Sequence, residues 1–116
     1  MGLTFITGEV KGPAGEHTTV EFMVDSGAEY TVLSHDVWKA IGLVAKRRER
    51  FRLADGTPIE RDISECHLSL PQGEGHTPVV LGQPGDDALL GVVTLQIFGF
   101  VLNPFNRTLQ PARLRM

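Results

Sequence analysis

At 116 residues, with 41% hydrophobic and 22% charged residues, the chain has the composition of a globular protein and too little length for two ordinary domains. Residues 1–116 are therefore expected to form a single domain. A formal net charge of −3 gives no overall basic field and no apolar run reaches bilayer length, so neither nucleic acid nor membrane is expected as a partner.

In chain order, Met1 to Ile6 lacks a basic region followed by an apolar stretch, and Ile6 stands where a myristoylation signal needs Ser or Thr. A cytoplasmic protein is expected. Turn signals recur at Gly12-Pro13, Gly27, Asp55-Gly56, Pro71-Gln72-Gly73, Gln83-Pro84-Gly85 and Asn103-Pro104. Between them lie short stretches rich in Val, Ile, Thr, Phe and Leu, which predict a mainly β fold built from hairpins and a folded sheet.

Phe22 and Val24 alternate with Glu21 and Met23 into the turn Asp25-Ser26-Gly27, and Tyr30, Val32 and Leu33 resume a strand after it. An Asp before Ser-Gly often does no more than form a turn. Here it ends an apolar strand. Gly27 leaves room for backbone N–H groups to approach its carboxylate, Ser26 supplies a hydroxyl, and Ala28 follows with a minimal side chain.

From Ser34 to Gly42 the spacing becomes helical: Ser34 can cap, Asp36 sits in the first turn, Val37 and Ile41 are four apart, and Gly42 suits a left-handed C′ position. Trp38 is expected to pack on the core. The basic run Lys46-Arg47-Arg48-Glu49-Arg50 reads as a solvated loop with no function. Residues 51–63 read as a hairpin reaching into solvent, with Asp55-Gly56 as a two-residue type I′ turn.

Cys66, the only cysteine, excludes an internal disulfide and reads as a small packing residue, since His67 beside it in a strand points to the opposite face. His17, His35, His67 and His76 are scattered without metal-ligand spacing, so no metal or other cofactor is expected. Val92 to Phe98 is an apolar run, helix or strand by periodicity alone, that Gly99 ends as Gly42 ends the first helix. The two halves echo one another: a strand, a helix and Ile41-Gly42-Leu43-Val44 in the first, Leu89-Leu90-Gly91 leading to Ile97-Phe98-Gly99-Phe100-Val101 in the second. Only the first half carries an acid on its turn.

"VDSGAEYTVLS", "LADGTPI" and "ALLGVVTLQIFGFVLNPFNRTL", in that order over about residues 18–109, resemble the retropepsin-like aspartic proteases. The resemblance implies a folded β-sheet with one or two short helices, a flap hairpin, and half of a two-fold active site. It matches Asp25 to the catalytic aspartate, Ser26, Gly27 and Ala28 to the rest of the active-site loop, and Leu53, Ala54, Asp55, Gly56 and Thr57 to the tip of the substrate-covering flap. Leu89, Leu90 and Gly91 match the apolar-apolar-Gly element behind that loop, and Val92 to Phe98 the helix after it.

Such chemistry needs two carboxylates sharing one proton, and only one Asp-Ser-Gly is present. The second is thus expected from another copy, in a homodimer that hydrolyses an extended peptide. Glu29 stands where retroviral enzymes carry Asp and Val92 where they carry Arg, so the ion pair between those places is lost. The stretch Ala112 to Met116 is not an obvious interface strand. A dimeric peptide-binding or scaffold module without proteolysis is the alternative, and an unrelated small β-barrel binding protein the third reading.

Overall fold

The computed structural model describes residues 3–103 and 105–112, so Pro104 of the Asn103-Pro104 turn and all but Ala112 of the stretch from Ala112 to Met116 fall outside the described residues. Alternation of apolar and polar side chains builds the first hairpin. In β1 (Phe5–Lys11) Ile6 and Val10 point inward and Phe5, Thr7, Glu9 and Lys11 outward; in β2 (His17–Val24) Val20, Phe22 and Val24 are buried. The two pair antiparallel from Phe5↔Met23 to Lys11↔His17.

There follow β3 (Thr31–Leu33), α1 (His35–Ala40), β4 (Arg47–Arg52), β5 (Pro58–Leu70), β6 (Gly73–Leu81), β7 (Leu89–Leu90) and α2 (Val92–Phe98), and β8 (Phe100–Asn103) and β9 (Thr108–Pro111) form a separate hairpin. The expected mainly β fold is what the chain adopts. The main sheet runs β1-β2-β7-β3-β6-β5-β4, and β1 also pairs with β5 through Glu9↔Ser69 to Lys11↔His67. That extra pairing closes the sheet on itself, leaving β4 and the first half of β5 to project as a long hairpin.

The sheet order makes the echo between the halves physical. The strand leaving each loop runs parallel to the strand entering the other: β7 beside β2 at Val24↔Leu90, and β3 beside β6 at Leu33↔Leu81. At the centre β3 and β7 meet antiparallel at Val32↔Leu89. Each of these short strands feeds a helix, and each helix is followed by a glycine in the left-handed region, Gly42 at φ 73° and Gly99 at φ 78°. The loop of the second half, residues 82–88, is not free of acids, because it holds Asp86 and Asp87.

Helix α1 ends in a Schellman arrangement, with Gly42 N–H donating to the Lys39 carbonyl at 3.1 Å and Leu43 N–H to the Trp38 carbonyl at 3.1 Å. Ser34 occupies the N-cap position, but its hydroxyl makes no capping hydrogen bond; its backbone carbonyl receives Val37 and Trp38 N–H instead. Trp38 packs against the core and donates its indole N–H to the Gly82 carbonyl at 2.8 Å.

The core is a cluster centred on Val10, Phe22, Leu33, Leu68, Val79 and Leu90, all without solvent exposure. Cys66 belongs to it, and burial pushes its thiol up to about 12, with the neighbouring Glu65 charge adding to the effect. It is an inert packing residue at neutral pH. Among the described residues no helix is long and apolar enough to cross a membrane.

Candidate active site

Asp25 stands where β2 stops pairing. Its backbone N–H donates to the Leu90 carbonyl at 3.2 Å, the last bond of the β2–β7 pairing, and its own carbonyl receives Ala28 N–H at 3.1 Å to turn the chain. The side chain is half-buried, and its Oδ1 accepts the Gly27 N–H at 2.8 Å, an Asx-type turn that aims the carboxylate along the loop. This is the approach of a backbone N–H to the carboxylate that the glycine was expected to permit. Ser26 is exposed beside it.

What fixes this loop is the segment behind it. Gly91 packs so closely that a Cβ there would lie 2.4 Å from the Tyr30 carbonyl carbon and 2.8 Å from the Glu29 oxygen. The first N–H groups of α2, which have no partner within the helix, are taken by the loop: Val92 donates to the Ala28 carbonyl at 2.9 Å and Val93 to the Glu29 carbonyl at 2.8 Å.

A buried chain of hydroxyls continues the brace. Thr31 Oγ1 accepts Gly91 N–H at 3.1 Å and lies 2.5 Å from Thr94 Oγ1, which lies 2.8 Å from Thr77 Oγ1. Every buried side-chain polar atom among the described residues has a partner. Loop, strand and helix are thus one unit built from both halves of the chain.

In front of the loop lies a cleft of about 750 Å³. Its floor is Met23, Val32, Leu89 and Val80; one wall is Gly27 to Tyr30 of the loop, and the facing wall is the hairpin, through Glu49 to Leu53, Ile59 and Arg61. Apolar floor and polar rim suit an extended chain with its backbone hydrogen-bonded at the edges. A second cavity of about 270 Å³, lined by residues such as Lys11, Leu43, His67 and His76, shares no residue with it.

The hairpin differs from its sequence reading in two respects. The basic run is not a loop: Arg47 to Arg50 lie in β4, paired with β5 from Arg47↔Ile63 to Arg52↔Pro58. Its charges alternate across the strand, so Arg48 on the outer face meets Glu60 at 3.3 Å and Asp62 at 3.1 Å, partners supplied from β5. Those pairs are exposed and stabilise little.

The tip, moreover, is not a two-residue type I′ turn. Leu53 N–H donates to the Thr57 carbonyl at 2.9 Å and Gly56 N–H to the Leu53 carbonyl at 2.9 Å, with positive φ at Gly56 (88°) and not at Asp55. It is a three-residue loop with glycine in the left-handed position. The Asp55 carboxyl sits below its ordinary range because the Thr57 hydroxyl and N–H donate to it. Of the residues matched to a flap tip, Leu53 lines the cleft, whereas Ala54, Asp55, Gly56 and Thr57 form the exposed end.

Two contacts that the sequence did not reveal tie the hairpin root to the body. Tyr30, just past the loop, lies edge-on to Phe51, with ring centroids 5.8 Å apart, and its hydroxyl accepts from Arg47 Nη2 at 3.1 Å. Arg61 binds Asp86 of the second loop, Nε to Oδ2 at 3.0 Å. Burial alone would raise the Asp86 pKa, but the Arg61 hydrogen bond, the Gln83 N–H and the Arg61 charge outweigh it and hold the carboxyl below its ordinary value. Asp86 is thereby committed to a structural pair. Among the described residues no three His, Cys, Asp or Glu side chains come together as a metal site would need.

The sequence model of the family described as gag-polyprotein putative aspartyl protease matches residues 10–96, a span that holds the Asp25 loop, the hairpin, the Leu89-Leu90-Gly91 element and the start of α2. No curated protein matches the chain. With three quarters of its length covered by that match and the sheet closed around an Asp-Ser-Gly loop, the chain belongs to the retropepsin-like aspartyl protease family.

Proposed function

We propose that residues 1–116 act as one domain of a homodimeric aspartic endopeptidase, in which the Asp25 carboxylates of two copies meet across a two-fold axis and activate a water between them. The observation that carries this reading is the asymmetry between the two loops of one chain. Loop 25–30 presents a half-buried carboxylate turned by Gly27, whereas Asp86 in the pseudo-equivalent loop is engaged by Arg61. Of the acids on the two loops, Asp25 is the one held at its turn by a backbone N–H, at the end of the strand that enters the loop, whereas Glu29 and the exposed Asp87 lie on the cleft lining without such a turn.

In the dimer two carboxylates a few ångströms apart hold one proton between them, because both cannot be ionised without large cost. The ionised one takes a proton from the water as its oxygen bonds to the peptide carbonyl carbon; the protonated one donates to the carbonyl oxygen. Collapse of the tetrahedral species breaks the C–N bond, with a proton delivered to the nitrogen, and returns the pair to its singly protonated state. The Gly27 N–H braces the carboxylate, the exposed Ser26 hydroxyl would cross-brace the pair in the dimer, and the β4–β5 hairpin serves as a flap over an extended peptide. The chemistry asks for no metal or cofactor.

A peptide library incubated from mild acid to neutrality tests this. Cleavage with a bell-shaped dependence on pH is expected, the two limbs belonging to the pair rather than to either carboxyl. The second reading, a dimer that captures peptides without cleaving them, is favoured by the replacement of an acid–arginine pair with Glu29 and Val92 and by a flap tip with a single glycine, Gly56. It predicts peptides retained on the protein and recovered intact at every pH.

A further inference from the structure

Tyr30 touches both sides of the cleft. Its backbone carbonyl is wedged against Gly91, and it stands in the wall formed by Gly27 to Tyr30, so its main chain moves only with the acid-bearing loop. Its side chain belongs to the hairpin. The ring meets the edge of Phe51 at 90° interplanar angle, the Arg47 guanidinium lies over it at 5.9 Å from the centroid, and the hydroxyl accepts from Arg47. Glu49, two residues along on the same face of β4, accepts a further hydrogen bond from the Arg47 guanidinium.

These contacts span 17 residues of sequence between Tyr30 and Arg47, with no direct β3–β4 pairing to do the same work. At the other loop, Arg61 and Asp86 pin β5, and Arg61 pairs across the hairpin with Glu49. The root of the hairpin is therefore held at both loops, and the part left unpinned begins beyond Phe51 and Ile59, at the exposed tip.

We propose that Tyr30 is a positioning residue: a latch that couples the hairpin to the Asp25 loop through Arg47 and Phe51, so that the root stays closed and substrate enters under the tip alone. The inference rests on the protease reading only for its kinetic part, since the latch itself is a property of the fold. Its consequence is a preference for extended, single-strand segments, because an opening confined to the tip admits one chain and not a folded domain.

The test uses Tyr30→Phe, which keeps the ring and removes the hydroxyl, Tyr30→Leu, which removes both, Arg47→Gln, and the double variant Tyr30→Phe with Arg47→Gln. Amide hydrogen exchange is followed over residues 47–63, with residues 66–70 and 77–81 of the core strands as the folding control. Tyr30→Phe is expected to speed exchange in the hairpin by about fivefold, the worth of one net hydrogen bond, and Tyr30→Leu by more. The double variant should be no faster than Arg47→Gln alone, because the two changes remove the same contact. On a peptide substrate, KM should rise with kcat nearly unchanged for Tyr30→Phe.

Unchanged hairpin exchange in Tyr30→Phe, or strictly additive effects in the double variant, would overturn the latch even if peptides are cleaved. Altered exchange in a protein that cleaves nothing would leave the latch standing and remove the protease reading instead. Faster exchange in the core strands as well as the hairpin would show Tyr30 to be a general stability residue, and this too overturns the proposal.

Discussion

Asp25→Asn is expected to lower peptide cleavage by roughly three to four orders of magnitude while leaving the fold intact, the scale of loss when a general base is removed. The amide keeps the size of the carboxylate and can still receive the Gly27 N–H through its oxygen, so the turn that begins at Asp25 has no reason to open. What it cannot do is accept a proton from water. In a dimer the loss counts twice, since each site would contain two amides and no acid. Unfolding curves for variant and wild type should coincide within a few tenths of a kcal/mol, as befits a half-buried side chain whose one hydrogen bond survives. Cleavage by the variant at the wild-type rate would remove Asp25 from the chemistry, whatever the fold.

Gly91→Ala is the second large effect, and it acts on the same loop from behind. The backbone of Gly91, at φ −97° and ψ 168°, is open to any residue, so conformational freedom is not the reason for glycine here. The reason is contact: the added carbon would lie 2.4 Å and 2.5 Å from the Tyr30 carbonyl group and 2.8 Å from the Glu29 oxygen. All three are backbone atoms, which cannot rotate aside. Relief requires β7 and the loop to separate, stretching the Val92–Ala28 and Val93–Glu29 hydrogen bonds and the Gly91 bond to Thr31.

We expect a loss of about 3 kcal/mol, at the upper end for overpacking, measured by urea unfolding, with cleavage impaired in whatever fraction remains folded. Gly85→Ala is the natural comparison. Gly85 has φ +93°, and a Cβ added there would meet nothing within 4 Å, so its cost is conformational alone, about 1 kcal/mol. If the two variants lose equal stability, the close approach at Gly91 is not what holds the loop.

The parts of this protein legible in its sequence are those in which a local residue decides a local shape. Asp-Ser-Gly at the end of an alternating strand and a left-handed glycine after each helix specify their own backbone, whereas the apolar run Val92 to Phe98 fits helix or strand by periodicity and is settled as α2 only in the fold. The basic run departs from its sequence reading for the opposite reason. Arg48 looks unpaired along the chain, and only the folding of β5 alongside brings Glu60 and Asp62 to it. The hairpin tip follows the same logic at smaller scale, since Asp-Gly permits both the two-residue and the three-residue loop and strand register chooses between them.

Nor is the support of the site legible in the chain. Thr31, Thr77 and Thr94 lie in three separate elements and resemble ordinary β-branched core residues until the sheet and α2 bring their hydroxyls together. Tyr30 gives a signal only through its closeness to the loop, and Arg61 and Asp86, twenty-five positions apart, give none. The candidate acid is legible because its turn is local; the cleft in front of its loop is a product of long-range pairing.

The proposed chemistry requires a shared site assembled from two copies. Wild-type protein mixed in varying proportion with Asp25→Asn, at constant total concentration and allowed to exchange subunits, measures this directly. If each site needs an Asp25 from both copies, cleavage falls with the square of the wild-type fraction, because mixed dimers are inactive. A fall in simple proportion to the wild-type fraction would mean that one chain carries out the chemistry alone.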